Sequence, residues 1–186
     1  MNTQQLTEHF SLAELTESDT ATRLGIDNTP PDSLLDNLKQ TAVMAEAVRT
    51  ILGDEAGHEI YMTVTSGFRC EALEKALCQK DYESWCSKHQ LSVNAESWKR
   101  YFSRKAHPQG RALDFRAPAF GVPYHIVRIL QKHPELIAQI DQIILEGVTV
   151  KNEGWVHIGW SNYPRHQVMT ALFDANGTPH YMNELT

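Results

Sequence analysis

Cysteine is scarce in this chain: Cys70, Cys78 and Cys86 are the only three among 186 residues. They form no CxxC pair, and an odd count argues against a disulfide framework, so the thiols are expected to be reduced. The eight-residue spacing of Cys70 and Cys78 fits neighbouring faces of a helix, but tetrahedral zinc sites normally take shorter-spaced pairs. Positive charge is also in short supply. Lys and Arg total 17 against 23 Asp and Glu, a formal net charge of −6, and no run of five like charges occurs. The concentrated basic face that nucleic-acid phosphates require is therefore excluded. No apolar run approaches the roughly 18–20 residues of a membrane span, and Met1 to Glu8 carries neither the basic nor the apolar region of a signal peptide. The expectation is a monomer made in the cytoplasm, with no stable membrane association. Internal repeats and low-complexity stretches are absent too.

What is present is ordinary globular material, 41% hydrophobic, 22% charged and 9% aromatic, which suits one domain over residues 1–186. Thr29, Pro30, Pro31 and Asp32 supply helix-start chemistry. A helix is predicted from about Ser33, its apolar stripe running through Leu34, Leu35, Leu38, Ala42, Ala45, Val48, Ile51 and Leu52 to a stop at Gly53. Ile60, Met62 and Val64 alternate with polar neighbours before Ser66 and Gly67, the period of a half-buried strand that delivers Arg69 to its far end. Residues 71–102 read as mostly helical and more polar, with Asn94 capping a short helix that carries Trp98, Tyr101 and Phe102. Ala112 to Phe115 is a short strand, Pro123 to Lys132 a helix with proline in its first turn, and Ile140 to Glu146 another strand. Gly147 to Gly154 reads as a loop, after which Trp155 to Trp160 completes an antiparallel pair. The tail from Ser161 shows no pattern of its own.

The chemistry concentrates in two short segments. In HPQGRALD, His107 on a loop is followed seven residues later by Asp114 on a strand. Far downstream, His157 sits in GWVHIGW, where alternation puts its side chain on the face of Trp155 and Gly159. Two imidazoles and one carboxylate make three protein ligands, the number that leaves a fourth position open for water in hydrolytic zinc sites. With nine histidines in the chain, a single one would more often be a surface or satisfied core residue. The combination carries the argument.

HPQGRALD, followed by DQIILE and GWVHIGW and preceded by SGFR, resembles the bacterial and phage zinc peptidases that include D-alanyl-D-alanine carboxypeptidases, D-alanyl-D-alanine dipeptidases and L-alanyl-D-glutamate endopeptidases. Residues 10–31, FSLAELTESDTATRLGIDNTPP, are similar to the N-terminal segment of the phage-type branch. The likeness covers about residues 9–69 and 103–165. It implies an α+β fold, a small antiparallel sheet flanked by helices, and a zinc ion (Zn2+) held by His107, Asp114 and His157. Lys105 departs from the pattern, which usually has Ser or Thr two residues before the first ligand histidine. So does the long stretch from Cys70 to Arg104, where a short connection is usual; residues 71–104 read as a helical insertion. Such an insertion costs little closure entropy, and it is either a tolerated surface feature or a lid, specificity lobe or docking surface.

Peptide hydrolysis also needs a base that takes a proton from water and returns one to the leaving amine. Glu146 and Glu153 compete for this role. On an extended strand Glu153 would lie roughly 13 Å from His157, at about 3.3 Å per residue. If Glu146 pairs with Trp155, it becomes a diagonal neighbour of His157, about 7–8 Å away between backbones. Glu146 is therefore favoured, provided the register holds, since a one-residue slip would turn it to the other face. Arg69 offers a planar cation for a substrate carboxylate or a developing oxyanion, the alternative being a salt bridge that holds the turn. The resemblance implies a substrate in the peptide stem of peptidoglycan. The expected function is that of a phage or prophage endopeptidase, acting on the wall after release from the cell. A D,D-carboxypeptidase and a zinc-binding phage structural module without turnover are the competing readings.

Overall fold

The computed structural model describes residues 4–149, 152–174 and 179–183, and the side chains of all of these except Asn152 and Glu153. Two short helices come first, α1 (Leu12–Thr16) and α2 (Asp19–Leu24). Ser11 and Glu14 form a reciprocal cap on α1, and the Ser18 side chain caps α2, satisfying backbone N–H groups that a helix start leaves open. A tight turn at Asp32–Leu34 leads into α3 (Leu35–Ala56). The expected stripe is its core face: Leu38, Ala42, Ala45, Val48 and Leu52 are fully buried. The helix begins slightly later than Ser33 and passes through Gly53, ending at Gly57, whose φ of 73° is the left-handed exit that glycine adopts at low cost.

Strand β1 (Thr63–Ser66) is shorter than the expected run from Ile60, which is buried but enters the core ahead of the ladder. The stretch read as a helical insertion is α4 (Glu71–Lys88) and α5 (Ala95–Phe102), with Asn94 capping α5. It has a small core of its own, formed by Tyr82, Cys86, Trp98 and Tyr101. There the Tyr82 and Trp98 rings meet edge to face at 5.1 Å. The remaining elements are β2 (Ala112–Arg116), α6 (Pro123–Leu130), α7 (Pro134–Ile137), β3 (Gln142–Thr149), β4 (Asn152–Gly159), β5 (Gln167–Phe173) and β6 (Pro179–Met182). The strands form one sheet in the order β1-β2-β4-β3-β5-β6. The fold is α+β. Among the described residues, no helix is long and apolar enough to cross a membrane.

The sequence reading departs from this sheet in three ways. Gly147 and Gly154 do not bound a loop; both belong to the β3–β4 hairpin, with φ of 69° and 79°. A Cβ on Gly147 would lie 2.1 Å from the Trp155 ring, and one on Gly154 would lie 2.0 Å from the Glu146 carbonyl oxygen. The glycines thus permit close approach inside the ladder instead of signalling a turn. The tail from Ser161, which showed no pattern, contains two strands. The third departure is that the sheet is only mostly antiparallel, because β5 runs parallel to β3. Strands β4 and β5 flank β3 and run opposite to each other, so the short link 160–166 suffices and no crossover helix is required.

Asp141 pins that link. Its carboxylate accepts from the Arg165 backbone N–H at 2.8 Å and from the Arg165 guanidinium, and its carbonyl accepts from Gln167 at 3.0 Å. Burial alone would raise the Asp141 carboxyl, but the Arg165 bonds outweigh it and hold it below its ordinary 3.8. A depressed carboxyl stabilises the fold above its unfolded pKa and ceases to do so as pH falls through the folded value. Asp141→Asn should therefore cost about 1–2 kcal/mol near neutral pH. The gap between the melting temperatures of wild type and variant should narrow on acidification below about pH 4. A gap that stays constant with pH would show that this ion pair is not what fastens β5.

The sheet has two distinct faces. Leu113, Phe115, Val156, Ile158, Ile143 and Leu145 belong to the main core with residues of α3 and α6. Asp114, His157, Ile144 and Glu146 alternate with them and face the other way.

Candidate metal centre and active site

Asp114 pairs with His157 across β2 and β4, which places both side chains on the second face. His107 arrives from a single tight turn, His107–Gln109, just before β2. The three are 8%, 3% and 7% exposed, so polar groups have been taken out of water together. His107 Nε2 lies 3.2 Å from His157 Nδ1 and 3.2 Å from Asp114 Oδ1, and His157 Nδ1 lies 2.8 Å from the same oxygen. A tetrahedral ion with bonds of about 2.0–2.1 Å separates its ligand atoms by about 3.3 Å, close to these edges.

Proton counting supports the same conclusion. The Nδ1–H of His107 donates to the Gly67 carbonyl at 2.6 Å, so the neutral ring carries its lone pair on Nε2. His157 Nδ1 can donate one proton to Asp114. No second proton then remains between His107 Nε2 and Asp114 Oδ1, and two lone pairs face each other in a buried site. A cation at the centre satisfies all three donors. The cluster could hold a metal ion, and among the described residues no other group of His, Cys, Asp and Glu is so arranged. All three cysteines are free.

The neighbouring side chains fix the donors. A bulge in β1 between Val64 and Ser66 breaks the alternation, so that Val64 faces the core with Phe115 while Ser66 pairs with Asp114. Arg69 Nε donates to Ser66 Oγ at 2.9 Å, its NH2 group donates to Asp114 Oδ2 at 2.8 Å, and NH1 lies 3.6 Å from Glu74 Oε2 on α4. Arg69 is thus the link between the ligand carboxylate and the helical insertion. Burial would raise the Asp114 carboxyl, but His107 and His157 hold it well below the carboxylate range. Burial lowers His107, helped by the Arg69 charge, whereas for His157 the Asp114 carboxylate overcomes burial and raises it.

Glu146 pairs with Trp155, the register on which its candidacy depended, and is half-buried. The Trp155 Nε1–H donates to Glu146 Oε2 at 3.1 Å. Burial pushes the Glu146 carboxyl up, and the Asp114 charge adds to this against His157 and Arg69. The backbone of Glu153 pairs with Val148, farther along the hairpin from His157, and its side chain lies outside the described residues. Lys105 has a local role: its ammonium lies 2.6 Å from Asp81 on α4 and 4.3 Å from the Tyr101 ring centre.

Two supporting residues went unread in the sequence. Asn28 is 8% exposed; its amide donates to the Thr16 and Phe68 carbonyls at 2.8 and 2.9 Å, and its oxygen accepts from Cys70 N–H at 2.8 Å. The N-terminal segment is thereby clamped onto the turn that carries Arg69 and the Gly67 carbonyl. Gly67 itself admits no side chain, since a Cβ would sit 2.2 Å from the Leu15 carbonyl oxygen. Glu74 is the second, 1% exposed and directed at Arg69. A buried glutamate on a polar helix has no distinguishing sequence signal, whereas the turn-rich GIDNTPP context could have suggested an anchoring role for Asn28. No protein-family model matches the chain, and no curated protein matches it.

Proposed function

We propose that the protein is a zinc-dependent peptidase that hydrolyses amide bonds in the peptide stems of bacterial peptidoglycan. The observation that carries this reading is the buried triangle of His107, Asp114 and His157 with a carboxylate, Glu146, diagonally beside it on the same sheet face. A nitrogen, nitrogen and oxygen donor set suits zinc, and three protein donors leave a coordination position for reactants. When bound there, the ion supplies Lewis-acid polarisation of the scissile carbonyl and a lower pKa for water.

The chain's own groups supply the rest. Glu146 accepts the proton of the attacking water on a carboxylate oxygen and returns it to the departing amine nitrogen. Trp155 holds that carboxylate in place through Nε1–H. Arg69 keeps Asp114 turned toward the donor set, and its guanidinium charge, fixed beside the site, offsets the negative charge that builds on the carbonyl oxygen. The stem of peptidoglycan is the substrate class suggested by the HPQGRALD, DQIILE and GWVHIGW segments, and a phage or prophage endopeptidase acting on the wall after release is the form we favour.

The test is digestion of purified peptidoglycan by the zinc-loaded protein, with fragments identified by mass spectrometry. New amine and carboxyl ends within the stem, lost on chelation and restored by zinc, are the expected result. Release of free D-alanine alone would identify a D,D-carboxypeptidase. Intact muropeptides after prolonged incubation with stoichiometric zinc would reject the enzyme in favour of a metal-binding structural module.

A further inference from the structure

The row of residues that contains Glu146 does not stop at β3. Glu146 pairs with Ala171 on β5, and Ala171 pairs with Tyr181 on β6. Paired residues share a face, so Trp155, Glu146, Ala171 and Tyr181 form one line across four strands. The adjoining row runs from Asp114 and His157 into Ile144 and Met169. Ile144, Met169 and Ala171 form an apolar cluster separate from the main core, with Phe173 packed against it. Phe173 also meets the Trp155 ring at 6.0 Å between centres. The face that carries the candidate metal donors therefore continues into a buried apolar cluster, with Glu146 on one side of Ala171 and the half-exposed Tyr181 on the other.

Tyr181 is unusually placed for a residue at the sheet edge. About 9–10 Å, two strand spacings, separates its backbone from that of Glu146, with only the Ala171 methyl between them. It is 50% exposed. Its packing, and then the Glu146 and Asp81 carboxylates, push the phenol up, so it stays a neutral donor. A large, half-exposed ring that carries a phenol O–H, in the same row as Glu146, is suited to gripping an extended peptide by its flat face and one carbonyl oxygen.

We infer that Tyr181 is a substrate-binding residue, its ring packing on the peptide and its hydroxyl donating to a backbone carbonyl on the side of Glu146 remote from the metal donors. The inference rests on the peptidase reading and adds a subsite on β5 and β6 that determines how long a stem the site prefers. Its test compares the zinc-loaded wild type with Tyr181→Phe on an intact stem pentapeptide and on the shortest stem fragment that the wild type cleaves. KM for the pentapeptide should rise about 3- to 10-fold, the scale of one neutral hydrogen bond, with kcat moving less than KM. The preference for the longer substrate should shrink by the same factor. Zinc content and melting temperature serve as controls for a structural effect and should match wild type. Equal KM values in the two proteins, or an equal rise on both substrates, would overturn the subsite while leaving the peptidase reading intact. Failure of the wild type to cleave any stem peptide would overturn both.

Discussion

In a His157→Ala variant, bound zinc should fall from one equivalent to a trace after dialysis, and peptidoglycan hydrolysis should drop by at least about a thousandfold. Two donors, His107 and Asp114, remain, but they no longer close a face around an ion, and the variant also leaves the Asp114 oxygen without its 2.8 Å partner. A thousandfold corresponds to about 4 kcal/mol of barrier, within the range that carbonyl polarisation by a metal supplies. Metal analysis and turnover have to be measured on the same sample. Full zinc retention would show that His157 is not a ligand, and full activity without zinc would remove the metal from the chemistry altogether. Because His157 lies on a buried central strand, circular dichroism must show native secondary structure before either number is interpreted.

Glu146→Gln separates holding the ion from using it. Glutamine keeps the size and can still accept from Trp155 Nε1–H, so the fold and one equivalent of zinc should persist. It cannot take a proton, and kcat should fall about 10²- to 10⁴-fold, the usual worth of a positioned acid–base group. Substrate affinity should change little. Undiminished turnover in this variant would exclude Glu146 and pass the role to Glu153, whose backbone is placed next to Val148 on the same hairpin.

The three candidate metal donors were legible because each brings a distinctive donor in a short, patterned segment, whereas the strand register that puts Asp114 opposite His157 on one sheet face had to come from the structure. Glu146 was legible only conditionally, through a strand register that the structure shows to hold. The surrounding supports were not. Arg69 was recognised as a fixed cation, but its link to Glu74 depends on a helix from the insertion, and nothing in that helix's polar sequence marks one glutamate as buried. Strand β5 escaped notice for a different reason. Met169 and Ala171 face the ligand side while Val168 packs on the core, so QVMTALF is apolar on both faces and loses the period of a half-buried strand. Gly147 and Gly154 misled for the opposite reason, since glycine signals both a turn and a close backbone approach, and here the Trp155 ring decides for the second.

The order of the chain sets the order in which the candidate donors and the Asn28 clamp are made. The clamp ties Thr16 and Asn28 to Phe68 and Cys70, all of which precede His107 in the chain, and the Gly67 carbonyl that accepts from His107 Nδ1–H lies within the clamped turn. His157 is the last donor made, so a nascent chain halted before β4 carries two of the three and no closed face. An ion held by all three donors can thus be gathered only once β4 has been made, when most of the chain has been translated.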